Sequence, residues 1–254
     1  MKAILILSDG MRPDAVLSCG HPFVSRFLDV SAHALDAQTV FPSVTLPCHM
    51  SLFHSVKPDR HGVLTNTYTP QVRPVEGLFE RLDRFEKRGS LYYTWEELRD
   101  LERPGHLTES RYLNQHFLDN CDKAITEAAL QGIQAYSPDF TFLYLGWVDS
   151  AGHNFGWMSP EYMQAVSIAW DCIQRVYESL DGDTALLVTA DHGGHDRSHG
   201  TTLPEDMTIP LFLYGKPFTP GQVLTDASIL DIAPTVAALT GITPSPDWEG
   251  KSLL

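Results

Sequence analysis

Between Thr189 and Gly200 the chain reads TADHGGHDRSHG, crowding two aspartates and three histidines together directly after the apolar run TALLV. Carboxylate and imidazole side by side suit zinc or manganese, whereas an oxygen-only calcium cage has no need of imidazole. Two other segments repeat the theme. Asp9 closes the run KAILILSD, and Asp149 closes DFTFLYLGWVD with His153 four residues further on. With Asp191, His192 and His199 these make six ligands. That is more than one tetrahedral zinc takes, and it suits two three-ligand sites with open positions. Paired cations about 4 Å apart are the usual clamp on the attacking and leaving oxygens of phosphoryl chemistry. Any one of these aspartates taken alone reads equally as a turn or helix-cap residue. The inference rests on three of them at equivalent positions. His195, in the same loop, has no partner motif and reads as a surface residue or a support for its neighbours. His21, His33, His54, His106 and His116 read as structural or exposed.

A nucleophile is available in FPSVTLPCHMSLFHSV, where Thr45 precedes Pro47 and a helical apolar pattern follows. Proline near the first helical position marks a helix N-terminus, so Thr45 lies at or beside the cap. One reading is an ordinary threonine N-cap. The other is a hydroxyl at a helix end that attracts anions, deprotonated beside a metal and able to attack phosphorus. No G-x-S-x-G elbow and no P-loop competes with it.

The elements that must position these groups are legible in outline. KAILILSD, DFTFLYLGWVD (139–149) and TALLVTAD (184–191) are continuous apolar runs, as in central parallel strands buried on both faces. Each ends in an aspartate, and in open parallel sheets ligands bind beyond the carboxyl ends of the strands. TIPLFLYG (208–215) is a fourth strand, which Pro210 places at an edge or makes its first residue. Ser159 as N-cap and Pro160 at the first helical position open a helix whose apolar residues Tyr162, Val166, Ala169, Ile173, Val176 and Leu180 recur at helical spacing up to Gly182. Further helices are expected at about 75–87, 118–136 and in SILDIAPTVAALTGI, with a strand in SLYYTW. The strand–helix–strand alternation predicts an α/β fold, a three-layer α/β/α sandwich around a mostly parallel sheet. Residues 67–117, polar and broken by Pro70, Pro74 and Pro104, read as a small insertion or cap on a single 1–254 domain.

At 254 residues, 43% hydrophobic and 20% charged, the composition is that of a globular protein with a sizeable core. A formal net charge of -14 argues against a nucleic-acid polymer or an anionic membrane surface as partner. It leaves an anionic substrate open, because bound cations invert the local electrostatics. Cys19, Cys48, Cys121 and Cys172 are widely spaced with no CxxC pair, as for free thiols in a reducing compartment. MKAILILSDG has too few apolar residues for a signal-peptide core or a membrane span, so a cytoplasmic location is expected. The sequence says nothing about oligomeric state.

In order along the chain, Asp9, Thr45 in TLPCH, the segment DRHGVLTN, Asp149 with His153, DHGG and SHG resemble the alkaline phosphatase superfamily, and within it the type I phosphodiesterase/nucleotide pyrophosphatase branch. The likeness runs on to DIAPTVAALTGI and WEGKSL, covering nearly everything outside 67–117. It implies that Asp149, His153 and His199 hold one metal, and that Asp9, Asp191 and His192 hold the other with the Thr45 hydroxyl as a further ligand. The metals implied are two divalent ions, zinc first and manganese as the alternative. Asn66 matches the asparagine with which that branch binds a non-bridging phosphate oxygen. The expected activity is hydrolysis of a small phosphoester through a phosphothreonine, with Asn66 and a backbone N–H near Thr45 stabilising the charge. Two departures stand out. Cys48 replaces the usual asparagine of the nucleophile motif, and the large cap of many relatives is reduced to 67–117.

Several neighbouring activities share this metal site. A phosphomonoesterase calls for extra positive charge, for which Arg12 in SDGMRPD is the nearest source. A phosphonate hydrolase cannot be separated from a diesterase on these residues. Thr45 and His49 stand where a formylglycine sulfatase has cysteine and arginine, and the inserted domain of cofactor-independent phosphoglycerate mutases is missing. A non-catalytic metal- or phosphate-binding protein is disfavoured, because all six ligands and the threonine occur together. Tyr68, Tyr92, Trp95, Phe155 and Trp157 are aromatic residues that could stack a base, though each also suits core or rim packing.

Overall fold

The apolar runs at 2–8, 140–145 and 184–189 lie side by side at the centre of one sheet. The computed structural model describes residues 1–101, 105–115 and 118–254. Pro104 and His116 lie outside the described residues. In chain order the elements are β1 (Lys2–Ser8), α1 (Pro13–Ser18), α2 (Pro22–Val30), β2 (Ala32–Gln38), α3 (Thr45–His54), α4 (Pro58–His61), α5 (Leu78–Arg84), β3 (Gly89–Tyr93), β4 (Glu109–Tyr112) and α6 (Cys121–Tyr136). They continue with β5 (Phe140–Leu145), α7 (Trp147–Phe155), α8 (Pro160–Tyr177), β6 (Thr184–Thr189), α9 (Pro204–Met207), β7 (Thr208–Tyr214) and α10 (Ile232–Thr240).

The sheet has seven strands in the order β2-β7-β6-β1-β5-β3-β4. From β6 to β4 every pairing is parallel, and only β7 runs against its neighbours β6 and β2. The fold is therefore α/β with a mostly parallel sheet. β5 and β6 are buried along their whole length, which is why they read as unbroken apolar runs. Helices α1, α2, α6 and α7 pack against α8, while α4, α5 and α10 pack against α3. Phe27, Trp170 and Phe212 meet in the first group, and Phe53, Phe79, Phe140 and Phe142 in the second. Each such buried ring contributes roughly 2–3 kcal/mol by removing apolar surface from water. Residues 67–117 supply α5 and also β3 and β4, the last two strands of the same sheet. Among the described residues no helix is long and apolar enough to cross a membrane.

Three expectations need correction. Pro210 is neither at an edge nor the first residue of its strand, because β7 begins at Thr208 and lies between β2 and β6. The pairing with β2 shifts register between Ala34 and Ala37, opposite Pro210, so the missing N–H falls at a bulge. The 139–149 run is a strand only to Leu145, and Asp149 is the third residue of α7. The long helix opens as expected, with the Ser159 hydroxyl accepting from the Tyr162 N–H and Pro160 first in the helix. It ends at Tyr177, leaving Leu180 in the following turn.

Candidate functional site

Parallel register brings the ends of three strands to one level. Ser8 pairs with Leu145, and Leu7 with Thr189, so whatever follows β1, β5 and β6 shares a rim. Asp9 follows β1 directly, and Asp191 lies two residues beyond β6. Asp149 reaches the rim from the first turn of α7, and His153, one turn later, shares its face. The glycines of DHGG have a packing reason. The Gly193 and Gly194 amides donate to the Asp206 and Glu205 carbonyls at 2.9 Å each. A Cβ on Gly193 would overlap the Glu205 carbonyl, and one on Gly194 the Trp157 ring.

Two adjacent donor groups result. His192 Nε2 lies 3.3 Å from Asp9 Oδ1, 3.4 Å from Asp191 Oδ2 and 3.2 Å from Thr45 Oγ1. Asp149 Oδ2 lies 3.5 Å from His153 Nε2, and its Oδ1 lies 3.8 Å from His199 Nε2. Ligand atoms of Asp149, His153 and His199 all fall within 4.8 Å of one another, as do those of Asp9, Asp149 and His192. The Asp149 carboxylate therefore borders both groups. The His192 and His199 rings stack with centroids 3.8 Å apart.

The surroundings of these groups suit cations. The Nδ1 of His192, His199 and His153 faces the carbonyls of Gly193 (2.7 Å), Ser43 (2.9 Å) and Arg197 (3.0 Å). A proton held on Nδ1 leaves each Nε2 lone pair aimed into the site, the arrangement metal-binding histidines use. Asp9 Oδ2 accepts from the Tyr144 hydroxyl at 2.5 Å, and Asp191 Oδ1 accepts from the Gly10 and His192 amides at 3.2 and 3.0 Å. Among the described residues their other oxygens, Asp9 Oδ1 and Asp191 Oδ2, are buried without a hydrogen bond, as is Asp149 Oδ1. Burial, and then repulsion from Asp191, pushes the Asp9 carboxyl well above the usual range. Burial with Asp9 raises Asp149 to about 7, and burial with Asp149 raises Asp191 to about 8. Burial and the neighbouring His192 hold His199 down to about 3. Three buried carboxylate oxygens without hydrogen-bond donors are a costly arrangement unless positive charge lies between them, so the donor set fits a pair of divalent cations.

Thr45 is the first helical residue of α3. The N-cap is Val44, so the threonine hydroxyl does not cap the helix and faces His192 instead. Asn66 Oδ1 accepts the Leu46 N–H at 3.0 Å, which leaves the amide NH2 free to turn toward the cleft. The Leu46 amide, one residue from Thr45, thus orients Asn66, a different use from the substrate contact expected of a backbone N–H there. The loop carrying Asn66 is tied down by His61. Its Nδ1 accepts the Val63 N–H, so its Nε2–H donates to Ser51 Oγ at 3.0 Å. That tautomer makes the pair a structural tie and unfit as a base for Ser51.

Asp9, Thr45, Asn66, Asp149, His153 and His199 line one cleft of about 280 Å³, with Trp95, Tyr144, Gly146, Ser150 and Asn154 completing its wall. No lysine or arginine is among the described residues that line it. Arg12 lies behind the DHGG loop, its guanidinium on the Gly194 carbonyl (3.0 Å) and Asp14. Cys48 is buried and receives the Thr39 hydroxyl at 3.3 Å, away from the cleft. His195 meets Asp206 Oδ1 at 2.7 Å and braces the loop between His192 and His199 without joining either donor group. Of the aromatic residues singled out, only Trp95 lines the cleft. Tyr92 bonds Glu109, Tyr68 lines another cavity, and Trp157 packs beside His153 and His199 while donating to the Gly10 carbonyl. Phe155 is exposed. His21 caps α2, His54 faces the Met50 carbonyl, His106 pairs with Asp83, and His33 packs near Phe212. Tyr144 went unread in the sequence, and the available signal was a hydroxyl within a strand too apolar to hydrate it.

The sequence pattern of the type I phosphodiesterase/nucleotide pyrophosphatase family matches residues 3–84 and 84–205. The catalytic subunit of human GPI ethanolamine phosphate transferase 3 is 29% identical over 157 residues, which are 59% of this chain and 14% of that protein. A 2,3-bisphosphoglycerate-independent phosphoglycerate mutase of Legionella pneumophila is 34% identical over 116 residues, 42% of this chain and 21% of the enzyme. The chain thus spans a minor part of these relatives' length. Among solved structures, inactive murine ectonucleotide pyrophosphatase/phosphodiesterase 5 with AMP superposes with a TM-score of 0.80 at 14% identity, covering 97% of this chain and 96% of its own. The phosphonate monoester hydrolase of Silicibacter pomeroyi gives 0.76 at 16% identity, covering 99% and 75%. At such identities the likeness is one of fold.

Proposed function

Because the chain belongs to the type I phosphodiesterase/nucleotide pyrophosphatase family, we propose that it is a two-metal phosphodiester hydrolase working through a phosphothreonine at Thr45. The observation that carries this reading is the Thr45 hydroxyl in the same cleft as two donor groups that meet at Asp149. Asp149, His153 and His199 would hold one ion. Asp9, Asp191 and His192 would hold the other, with Thr45 Oγ1 as a further ligand. Zinc suits these donors, and manganese is the alternative. When bound, such ions act as Lewis acids toward phosphoryl oxygens and lower the pKa of hydroxyl groups and water.

Thr45 Oγ1 gives up its proton to solvent and attacks phosphorus in line, forming the Thr45 O–P bond as the bond to the leaving oxygen breaks, and the leaving alcohol departs from the opposite face with a proton from solvent. Asn66 donates its amide N–H to a non-bridging oxygen, held in aim by the Leu46 N–H on its Oδ1. Water then attacks the phosphothreonine, releasing a phosphomonoester and restoring the Thr45 hydroxyl. Tyr144 keeps Asp9 oriented throughout, and the Nδ1 contacts of the three histidines keep their Nε2 atoms turned inward. A small phosphoester suits the size of the cleft.

The diester is favoured over the monoester by the wall of the cleft. A dianionic monoester calls for a cationic side chain, and the described lining residues include none. The test is the ratio of kcat/KM for bis(p-nitrophenyl) phosphate and p-nitrophenyl phosphate, which share a leaving group, with zinc-reconstituted protein. The diester is expected to lead by at least about tenfold, equivalent to roughly 1.4 kcal/mol of transition-state binding. A lead for the monoester would overturn the diesterase assignment.

A further inference from the structure

Asp122 stands in the first turn of α6 with none of its surface exposed. Its Oδ1 accepts the Gly146 N–H at 2.9 Å and the Trp147 N–H at 3.2 Å, and the Cys121 thiol points at the same oxygen from 3.3 Å. Gly146 is the residue before α7 and has no side chain with which to cap it. The amides at that helix end therefore find their acceptor on another helix, 24 and 25 residues away in sequence. Asp122 Oδ2 is buried without a hydrogen bond among the described residues. An asparagine would accept the same two N–H groups without burying an unpartnered anionic oxygen. A carboxylate instead places a charge-assisted acceptor at the positive end of the helix dipole.

The helix so anchored is nine residues long, and the first of its proposed ligands, Asp149, comes two residues after Trp147. His153 follows one turn later on the same face. Rotation of this short helix about its axis would carry both side chains away from His199, which comes from a separate loop. We infer that Asp122 is a positioning residue, fixing the rotation of α7 and so aiming Asp149 and His153 at the ion they would share with His199. The inference rests on the two-metal reading above.

Asp122→Ala, Asp122→Asn and Asp122→Glu, with Ser159→Ala as control, would be titrated with zinc against a chromophoric chelator, alongside thermal melts and kinetics on bis(p-nitrophenyl) phosphate. Ser159→Ala removes the side-chain cap of α8 and touches nothing in the cleft. In Asp122→Ala one of the two zinc affinities should fall about 10- to 100-fold, the range typical of lost support for a metal ligand, with the other unchanged. The lost kcat should recover in excess zinc at unchanged KM. Asp122→Asn, which keeps an acceptor oxygen, should stay within about threefold of the parent, and Ser159→Ala should lower the melting temperature with both affinities intact. Should Asp122→Ala not fold, Asp122→Glu keeps the charge but moves the acceptor by a methylene, and it should lose the same affinity. Parent-like binding of both ions by the Ala or Glu variant would overturn the inference, as would equal zinc loss in Ser159→Ala. A parent protein that binds no zinc would instead overturn the two-metal reading itself, which is a distinct result.

Discussion

The Thr45 hydroxyl lies 3.2 Å from His192 Nε2 and caps nothing, so its removal should cost chemistry and little stability. Thr45→Ala is expected to lower kcat by at least about 10³-fold while both zinc ions stay bound, since the six aspartate and histidine side chains proposed as ligands all remain. Metal analysis beside a single-turnover assay checks this, and an alanine variant retaining a tenth of the activity would remove the covalent step. In the reaction proposed above Asn66 would carry two duties, on the Leu46 amide, whose N–H its Oδ1 accepts, and toward the substrate. Asn66→Ala should therefore cost about 10²-fold in kcat/KM, mostly through kcat, together with about 1 kcal/mol from the lost contact at the start of α3. A loss confined to KM would mean that the amide binds substrate and transition state alike.

At the scale of elements, the loop from Asp191 to Thr201 carries members of both donor groups with little secondary structure of its own. Asp206, at the end of the short helix α9, does this by accepting from His195, from the Thr201 amide and from the Thr201 hydroxyl. The hydrogen bond to Asp206 raises the His195 pKa above 6.5. Burial works against Asp206, yet the bonds from His195 and Thr201 prevail and bring its pKa below 3.8. The raised His195 stabilises the fold below about pH 6.5 and loses that contribution as pH climbs through its folded value. The depressed Asp206 stabilises it above about pH 4 and loses that contribution as pH falls. Both act together between those limits. His195→Gln should then lower the melting temperature by about 1–3 °C at pH 5–6, and the deficit should shrink by pH 8–9. Melts across that range check it, and a deficit that grows with pH would contradict the brace.

For the whole molecule, a part of the formal net charge of -14 lies where Asp9, Asp149 and Asp191 meet, with three buried oxygens lacking hydrogen bonds among the described residues. Ions that bind the folded chain and not the unfolded one add about 4 kcal/mol at a thousandfold excess over Kd. In a protein of this length that is a rise in melting temperature of roughly 10 °C. Chelation should lower the melting temperature by about that much and zinc should restore it, as scanning calorimetry would register. Equal melting temperatures with and without chelator would take the ions out of the account.

The sequence by itself determined which aspartates and histidines are candidate donors, and for two of the aspartates it also showed the strand end they stand at. An apolar run closed by aspartate is a local pattern, and Asp9 and Asp191 stand at the ends of parallel strands because burial on both faces writes itself into consecutive residues. The Ser159-Pro160 helix start was legible for the same reason, since a cap involves neighbours only. β2 and β4 were not read: β2 alternates buried and exposed residues irregularly across a bulge, and β4 is four mostly polar residues at an edge. Tertiary structure alone decided that Asp149 arrives on a helix, that it borders both donor groups, and that Asn66 is oriented by Leu46. It also turned Arg12 and Cys48 away from the cleft, and brought Tyr144 to Asp9 and Asp122 beneath α7. The partners in these contacts stand from nine to 182 residues apart in the chain. Hydrophobic period and turn chemistry record what a residue meets within a turn or two. Which side chains face each other across the rim is set by strand order and register, and no local pattern encodes either.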